Sequence, residues 1–84
     1  MDIIARDGAT LVFVEVKARH GREFGEAAEA VTPFKRRRIA QLALDYIVRH
    51  HLTSCPCRFD VVSIHVDEGE PVVEVIQGAF DATP

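Results

Sequence analysis

Tryptophan is absent, tyrosine occurs once, and aromatic residues make up only 7% of the 84 residues. The six rings, five Phe and Tyr46, fall mostly on apolar stripes. A base-stacking surface of the single-strand-binding kind therefore has little to be built from. No apolar run approaches the ~20 residues of a membrane-spanning helix. The start, Met1–Arg6, lacks a basic segment leading into an apolar stretch, so nothing in it reads as a signal peptide. Two cysteines, Cys55 and Cys57, cannot form a disulfide framework, and a bond between them would close a tight loop around Pro56. Both read as reduced thiols, and the compartment as the cytoplasm. Gly21 and Gly25 lack the spacing of a phosphate-binding loop, and Ser54 and Ser63 lack a nucleophile's local context. His50, His51, Cys55 and Cys57 are zinc-ligand types without the spacing of a finger or ribbon.

What remains is the composition of a folded globular chain, 48% hydrophobic and 27% charged with a net charge of −3. Residues 1–84 are expected to form a single domain with a small core, which excludes a multidomain enzyme. The charge is unevenly spread. Residues 17–38 carry a net +4, and residues 39–84 a net −5. A basic face able to meet a phosphate backbone is compatible with that distribution, as is a solvated helix end rich in arginine.

The local patterns predict the order β-β-α-β-β. Asp2–Arg6 reads as a short strand, and Asp7-Gly8-Ala9-Thr10 as a turn in which Gly8 can take positive φ. Leu11–Ala18, with β-branched residues in succession, reads as a strand buried on both faces and a hairpin partner of the first. Residues 19–31 read as a loop with helical character in Glu26–Ala30. Thr32-Pro33 is a helix start, with Thr as N-cap and Pro in the first turn. Phe34, the Arg38 stem, Ile39, Leu42, Ala43, Tyr46 and Ile47 form the apolar stripe of that helix. The helix is expected to end near His50 or His51. Arg58–Val66 and Val72–Ile76 read as a second hairpin around the turn Asp67–Pro71. The fold class is α/β, an α+β mixed sheet with one helix packed on it.

Glu15 and Lys17 break the packing rule for a buried strand. Their spacing of two puts both on one face with Leu11 and Phe13, while Val12, Val14 and Val16 take the other. Buried charges require partners or a ligand. If Asp7–Thr10 form a four-residue loop, Arg6 faces Leu11 and Asp2 faces Glu15. A tighter two-residue turn is expected to shift the pairing by two, set Asp2 beside Phe13 and leave Asp2 and Glu15 diagonal. Two carboxylates with water suit Mg²⁺ or Mn²⁺, and a lysine there can orient water or offset charge developing on a phosphate. The same Glu15–Lys17 spacing also suits a surface ion pair near the end of an edge strand.

The string Asp2-Ile-Ile-Ala, a turn, and Leu11-Val-Phe-Val-Glu-Val-Lys-Ala-Arg19 resembles the PD-(D/E)XK nuclease motif. The blocks Phe13–Arg19 (FVEVKAR), Gly25–Val31 (GEAAEAV), Lys35–Ile39 (KRRRI) and Arg58–Val62 (RFDVV) resemble the bacterial YraN family, small proteins with a Holliday-junction-resolvase-like endonuclease fold. The resemblance covers nearly the whole chain. It implies a restriction-endonuclease-like core in which Asp2, Glu15 and Lys17 are catalytic and Asp2 and Glu15 hold Mg²⁺ or Mn²⁺. It further implies DNA as partner, with Arg19 and Lys35 facing the phosphate backbone, and hydrolysis of phosphodiesters in branched DNA. The basic helix end Lys35–Arg38 adds Arg36 and Arg37 to the residues expected to hold that backbone. Asp60 matches the Asp of the family's R-F-D-V block, where it caps the strand or pairs with Arg58.

The YraN pattern opens with a helix and a Glu ahead of the matched Asp, whereas Met1 directly precedes Asp2 here. The expectation is a shortened domain lacking the usual first helix. Apolar residues such as Ile3 and Val14 would then be exposed, depending on the face that helix covers. Self-association, or a partner chain covering the open face, would follow. A catalytically inactive nucleic-acid-binding module of the same fold is the alternative to an active nuclease.

Overall fold

A computed structural model describes residues 2–20, 31–66 and 69–80, apart from the side chains of Arg19 and His20. The expected helical character of Glu26–Ala30 and part of the turn Asp67–Pro71 lie outside the described residues. The elements run β1 (Ile3–Asp7), β2 (Thr10–His20), α1 (Pro33–Arg49), β3 (Cys57–Val66) and β4 (Val72–Ile76). That is the expected order. The four strands form one mixed sheet in the order β1-β2-β3-β4. The β1–β2 and β3–β4 pairs are antiparallel, and the central β2–β3 pair is parallel.

Each local signal has a visible outcome. Arg6 pairs with Leu11 and Asp7 with Thr10, which leaves Gly8 and Ala9 as a two-residue turn. Gly8 sits at φ 60, the positive value that such hairpin turns demand at their first central position. Pro33 opens α1, and the Thr32 hydroxyl accepts the Lys35 amide hydrogen at 3.3 Å. The helix closes at Arg49 with His50 as cap, and His51 follows at φ 55. Parallel strands need a crossover between them, and α1 supplies it.

The side of the sheet under α1 carries the core. Leu11 and Phe13 of β2, Phe59 and Val61 of β3, Ile39 and Ala43 of α1, and Val31 and Phe80 form one buried cluster. Fully burying an apolar side chain of this size contributes about 1.5–3 kcal/mol. Phe59 stands at the middle of an aromatic row, stacked on Phe13 at 5.4 Å and on Phe80 at 5.3 Å between ring centres. Tyr46 of α1 meets Phe13 edge-on at 6.2 Å.

The helix stripe is narrower than its periodicity predicts. Ile39 and Ala43 are buried, and Tyr46 and Ile47 partly so, but Phe34 is 68% and Leu42 46% exposed. The reason lies beneath the first turns of α1, where the strand presents Glu15 and Lys17 instead of apolar side chains.

The opposite side of the sheet carries Arg58 and Asp60, level with Val12 and Val14 of β2. Asp60 is buried, and Val12 and Val14 are covered, whereas Ile3 is 50%, Val73 60% and Val75 57% exposed. Of the two apolar residues named above for this exposure, Ile3 is open to solvent and Val14 is not. Arg58 also donates to Asp7 at 3.1 Å, which fastens the β1 end to β3. The two carboxylates, Asp60 first, hold the Arg58 guanidinium above its ordinary pKa.

Candidate functional site

Glu15 and Lys17 lie past Phe13 on the same side of β2, beside Val61 and Ser63 of β3. Lys17 Nζ is 3.7 Å from Glu15 Oε1, with side-chain exposures of 23% for the lysine and 15% for the glutamate. Glu15 Oε2 is sealed from solvent. The charges are therefore partly desolvated, and the pair sits on a central strand, not an edge.

The helix reaches this end of the sheet from above. In a β-α-β crossover the helix begins near the carboxyl ends of the parallel strands, the place where open mixed sheets commonly take ligands. A cleft of about 280 Å³ opens there. Glu15 and Lys17 contribute from the strand, Thr32, Lys35 and Arg38 from the helix start, and Phe34 and Leu42 from the exposed flank of α1. Ile39 links the cleft to the core.

Lys17 is close enough to Lys35 to perturb it. Close approach of the Lys17 amine and its like charge, with some desolvation, push the Lys35 ammonium below the ordinary lysine range, and Glu15 only partly opposes this. Two ammonium groups and a guanidinium over one carboxylate give the cleft an excess of positive charge. That excess suits an anion with several oxygens, such as a phosphate.

Asp2 occupies the register position that would face Glu15, since Ile3 pairs with Val14. The two-residue turn at Gly8 and Ala9 keeps Arg6 opposite Leu11, because Asp7 and Thr10 themselves pair. The expected shift of Asp2 to Phe13 with a tighter turn therefore does not occur. The Asp2 amide donates to the Val14 carbonyl at 3.0 Å, and Asp2 Oδ2 accepts the Val16 amide hydrogen at 2.8 Å. The carboxylate thus holds the backbone between Glu15 and Lys17 from the edge of β2, and it is exposed. Among the described residues no three His, Cys, Asp or Glu side chains gather into a metal cage. An ion here would rest on Glu15, Asp2 and water. One or two carboxylates with retained waters is the usual way Mg²⁺ is held, so the residues present fit that ion.

The basic run divides by its position around the helix. Lys35 faces the cleft. Arg36 is half-buried, its Nε donates to the Val31 carbonyl at 2.9 Å, and its guanidinium lies 5.4 Å from the centre of the Phe80 ring. Arg37 lines a second, mostly apolar groove with Leu44, Ile47, Cys57 and Phe59 on another flank of α1. The Arg19 side chain lies outside the described residues. Arg38, whose stem the helical spacing assigns to the apolar stripe and whose charge belongs to the basic helix end Lys35–Arg38, joins the cleft. Phe34 was likewise assigned to the core, and no feature of the linear pattern marks it as exposed. Asp60, open to two readings in the sequence, is a structural group. It pairs with Arg58 and accepts the Gly78 amide hydrogen at 3.0 Å.

Fold and cleft together define a small α+β protein, a four-stranded mixed sheet with a charged cleft at the carboxyl end of its parallel pair. The sequence pattern described as "Uncharacterised protein family UPF0102" matches residues 1–64, and the chain belongs to that family. It is 49% identical to a UPF0102 protein of Geotalea daltonii over 82 residues, covering 96% of this chain and 65% of that protein. It is also 49% identical to UPF0102 protein STH1475 of Symbiobacterium thermophilum over 83 residues, covering 98% of this chain and 70% of that protein. A UPF0102 protein of Acidothermus cellulolyticus is 45% identical over a gapped alignment of 91 positions, covering 95% of this chain and 69% of that protein. The chain thus spans about two thirds of the length of these relatives. The resemblance to the YraN family read from the sequence blocks is borne out. No described helix is long and apolar enough to cross a membrane.

Proposed function

We propose that residues 1–84 act as a metal-dependent, nuclease-like unit that hydrolyses phosphodiester bonds of DNA, branched DNA included. The observation that carries this reading is the convergence of Glu15, Lys17 and Lys35 in one cleft at the carboxyl end of β2. Glu15, with Asp2 at the strand edge, would hold Mg²⁺ or Mn²⁺. When bound, such an ion lowers the pKa of a water and offsets charge on the phosphate. Lys17, paired with Glu15, would orient the attacking water and donate to a phosphate oxygen. Lys35 would share that phosphate with Lys17 and Arg38 would hold a neighbouring one, contacts that position a strand without reading its sequence. Lys35, held below the ordinary lysine range chiefly by Lys17, passes on a proton more readily than an isolated lysine.

The test is cleavage of linear and branched DNA with Mg²⁺ or Mn²⁺, alongside calorimetric titration of each metal, on wild type, Glu15→Ala and Lys17→Ala. Metal binding lost in Glu15→Ala, and cleavage lost in both variants while each stays folded, is the expected result. Equal cleavage by all three proteins overturns the reading.

The positive cleft supports a second reading, a nucleic-acid-binding module without catalysis. It gives salt-sensitive DNA binding and no metal-dependent product. The exposed Ile3, Val73 and Val75 support association through the open sheet side with a second copy or another chain. Light scattering on a size-exclusion column is expected to give a mass above that of one chain, and a monodisperse monomer counts against it. The two free thiols support a reducing, cytoplasmic setting.

A further inference from the structure

We infer that the cleft takes an unpaired nucleotide, with its phosphate on Lys17 and Lys35 and its base stacked on Phe34. This deepens the proposed function and rests on its assignment of the cleft to nucleic acid.

Phe34 is 68% exposed, although it is among the largest apolar side chains in the protein. A lone exposed apolar residue carries no message, but this ring lines the same cleft as Lys17, Lys35 and Arg38. Pro33 opens the helix immediately before it, and the Thr32 hydroxyl caps the same turn. Backbone freedom at Phe34 is therefore spent before any ligand arrives. Leu42, two turns further along α1, adds a second apolar side chain to the cleft lining.

The site thus has two halves of unlike chemistry. One is a cluster of cations with little room between them. The other is a flat apolar ring fixed beside it. A nucleotide has the same two halves, an anionic phosphate and a flat base with two π-faces. A paired duplex offers only the first, because its base faces are occupied by the stack, and exposing one costs a few kcal/mol. The volume of about 280 Å³ lies near the lower end of the usual ~300–1,000 Å³ range for small-ligand sites, closer to one nucleotide than to a helical groove. A simple anion site leaves Phe34 and Leu42 unexplained, and an apolar docking site leaves the lysine pair unexplained.

The experiment is fluorescence anisotropy in EDTA, so that binding is read without cleavage. The probe is a short mixed-sequence DNA strand carrying fluorescein, alone and annealed to its complement. Wild type is expected to favour the single strand. Phe34→Leu should lower the ratio of single-strand to duplex affinity by about 5- to 150-fold, the worth of one base–aromatic stack. Phe34→Tyr should keep the ratio, and Lys35→Ala should weaken both affinities while leaving it in place. A ratio unchanged in Phe34→Leu, or no preference in wild type, overturns the inference. Failure of the nuclease reading alone shows differently, as a preserved ratio in EDTA with no cleavage when Mg²⁺ is added.

Discussion

Arg58 and Asp60, two positions apart on one side of β3, meet as a two-pronged pair. Arg58 Nε donates to Asp60 Oδ1 at 2.9 Å and Nη2 to Oδ2 at 3.0 Å. With the Gly78 amide on the same carboxylate and Asp7 on the same guanidinium, the pair ties three segments of chain together. Removing one member strands the other. Asp60→Ala is expected to lower the unfolding free energy by about 3 kcal/mol, read by urea or thermal denaturation. The double variant Arg58→Met/Asp60→Leu should recover part of that loss, because no partly buried charge is left alone.

Lys35 gives the cleft a pH signature. Its value in the folded protein is depressed, chiefly by Lys17, so the unfolded chain binds the proton more tightly. Between the depressed folded value and the ordinary lysine value, stability therefore rises with pH. Lys17→Met should remove most of that rise and return Lys35 toward an ordinary lysine. With only these two lysines in the chain, a side-chain NMR titration reads each without ambiguity.

Arg36 and Lys35 are neighbours with the same charge and different duties. Arg36→Ala removes the hydrogen bond to Val31 and the contact with Phe80. It is expected to cost about 1–2 kcal/mol of stability. Lys35→Ala should leave stability nearly unchanged and reduce the salt dependence of DNA binding by about one unit of slope. Comparing denaturation midpoints with binding isotherms at several salt concentrations separates the two roles.

Gly8 stands in open space at φ 60, with nothing within 4 Å of where a Cβ would be. Any penalty for Gly8→Ala is therefore conformational and not steric. It is expected to be about 1–2 kcal/mol, a fall of roughly 4–8 °C in Tm per kcal/mol for a domain of this size.

Most of the fold was legible in local chemistry. Gly8 in its turn, Thr32-Pro33 at the helix start, and the two runs of β-branched residues each describe their own neighbourhood. The site was legible as far as Glu15 and Lys17, whose charges conflict with the strand that carries them. Phe34 and Arg36 were not, because helical spacing reveals which residues share a stripe but not what lies beneath each turn. Under Phe34 lies a charged cleft, and beside Arg36 lies Phe80, a residue far along the chain. Asp2 illustrates the same limit. The pairing of Arg6 with Leu11 sets its level, but its hydrogen bond to the Val16 amide depends on where regular β1 pairing stops.

The parallel pairing of β2 with β3 also has a kinetic consequence. Each hairpin joins residues close in sequence, and such hairpins form on a scale of about 1–10 μs. The central ladder instead joins Leu11 to Cys57 and Lys17 to Ser63, and must wait for the intervening chain to close a long loop. The cleft is therefore a late product of folding. Stopped-flow refolding should show hairpin and helix signals already gained within the mixing dead time, before Glu15 and Lys17 gain their neighbours on β3, with ligand-binding competence arriving in the last phase.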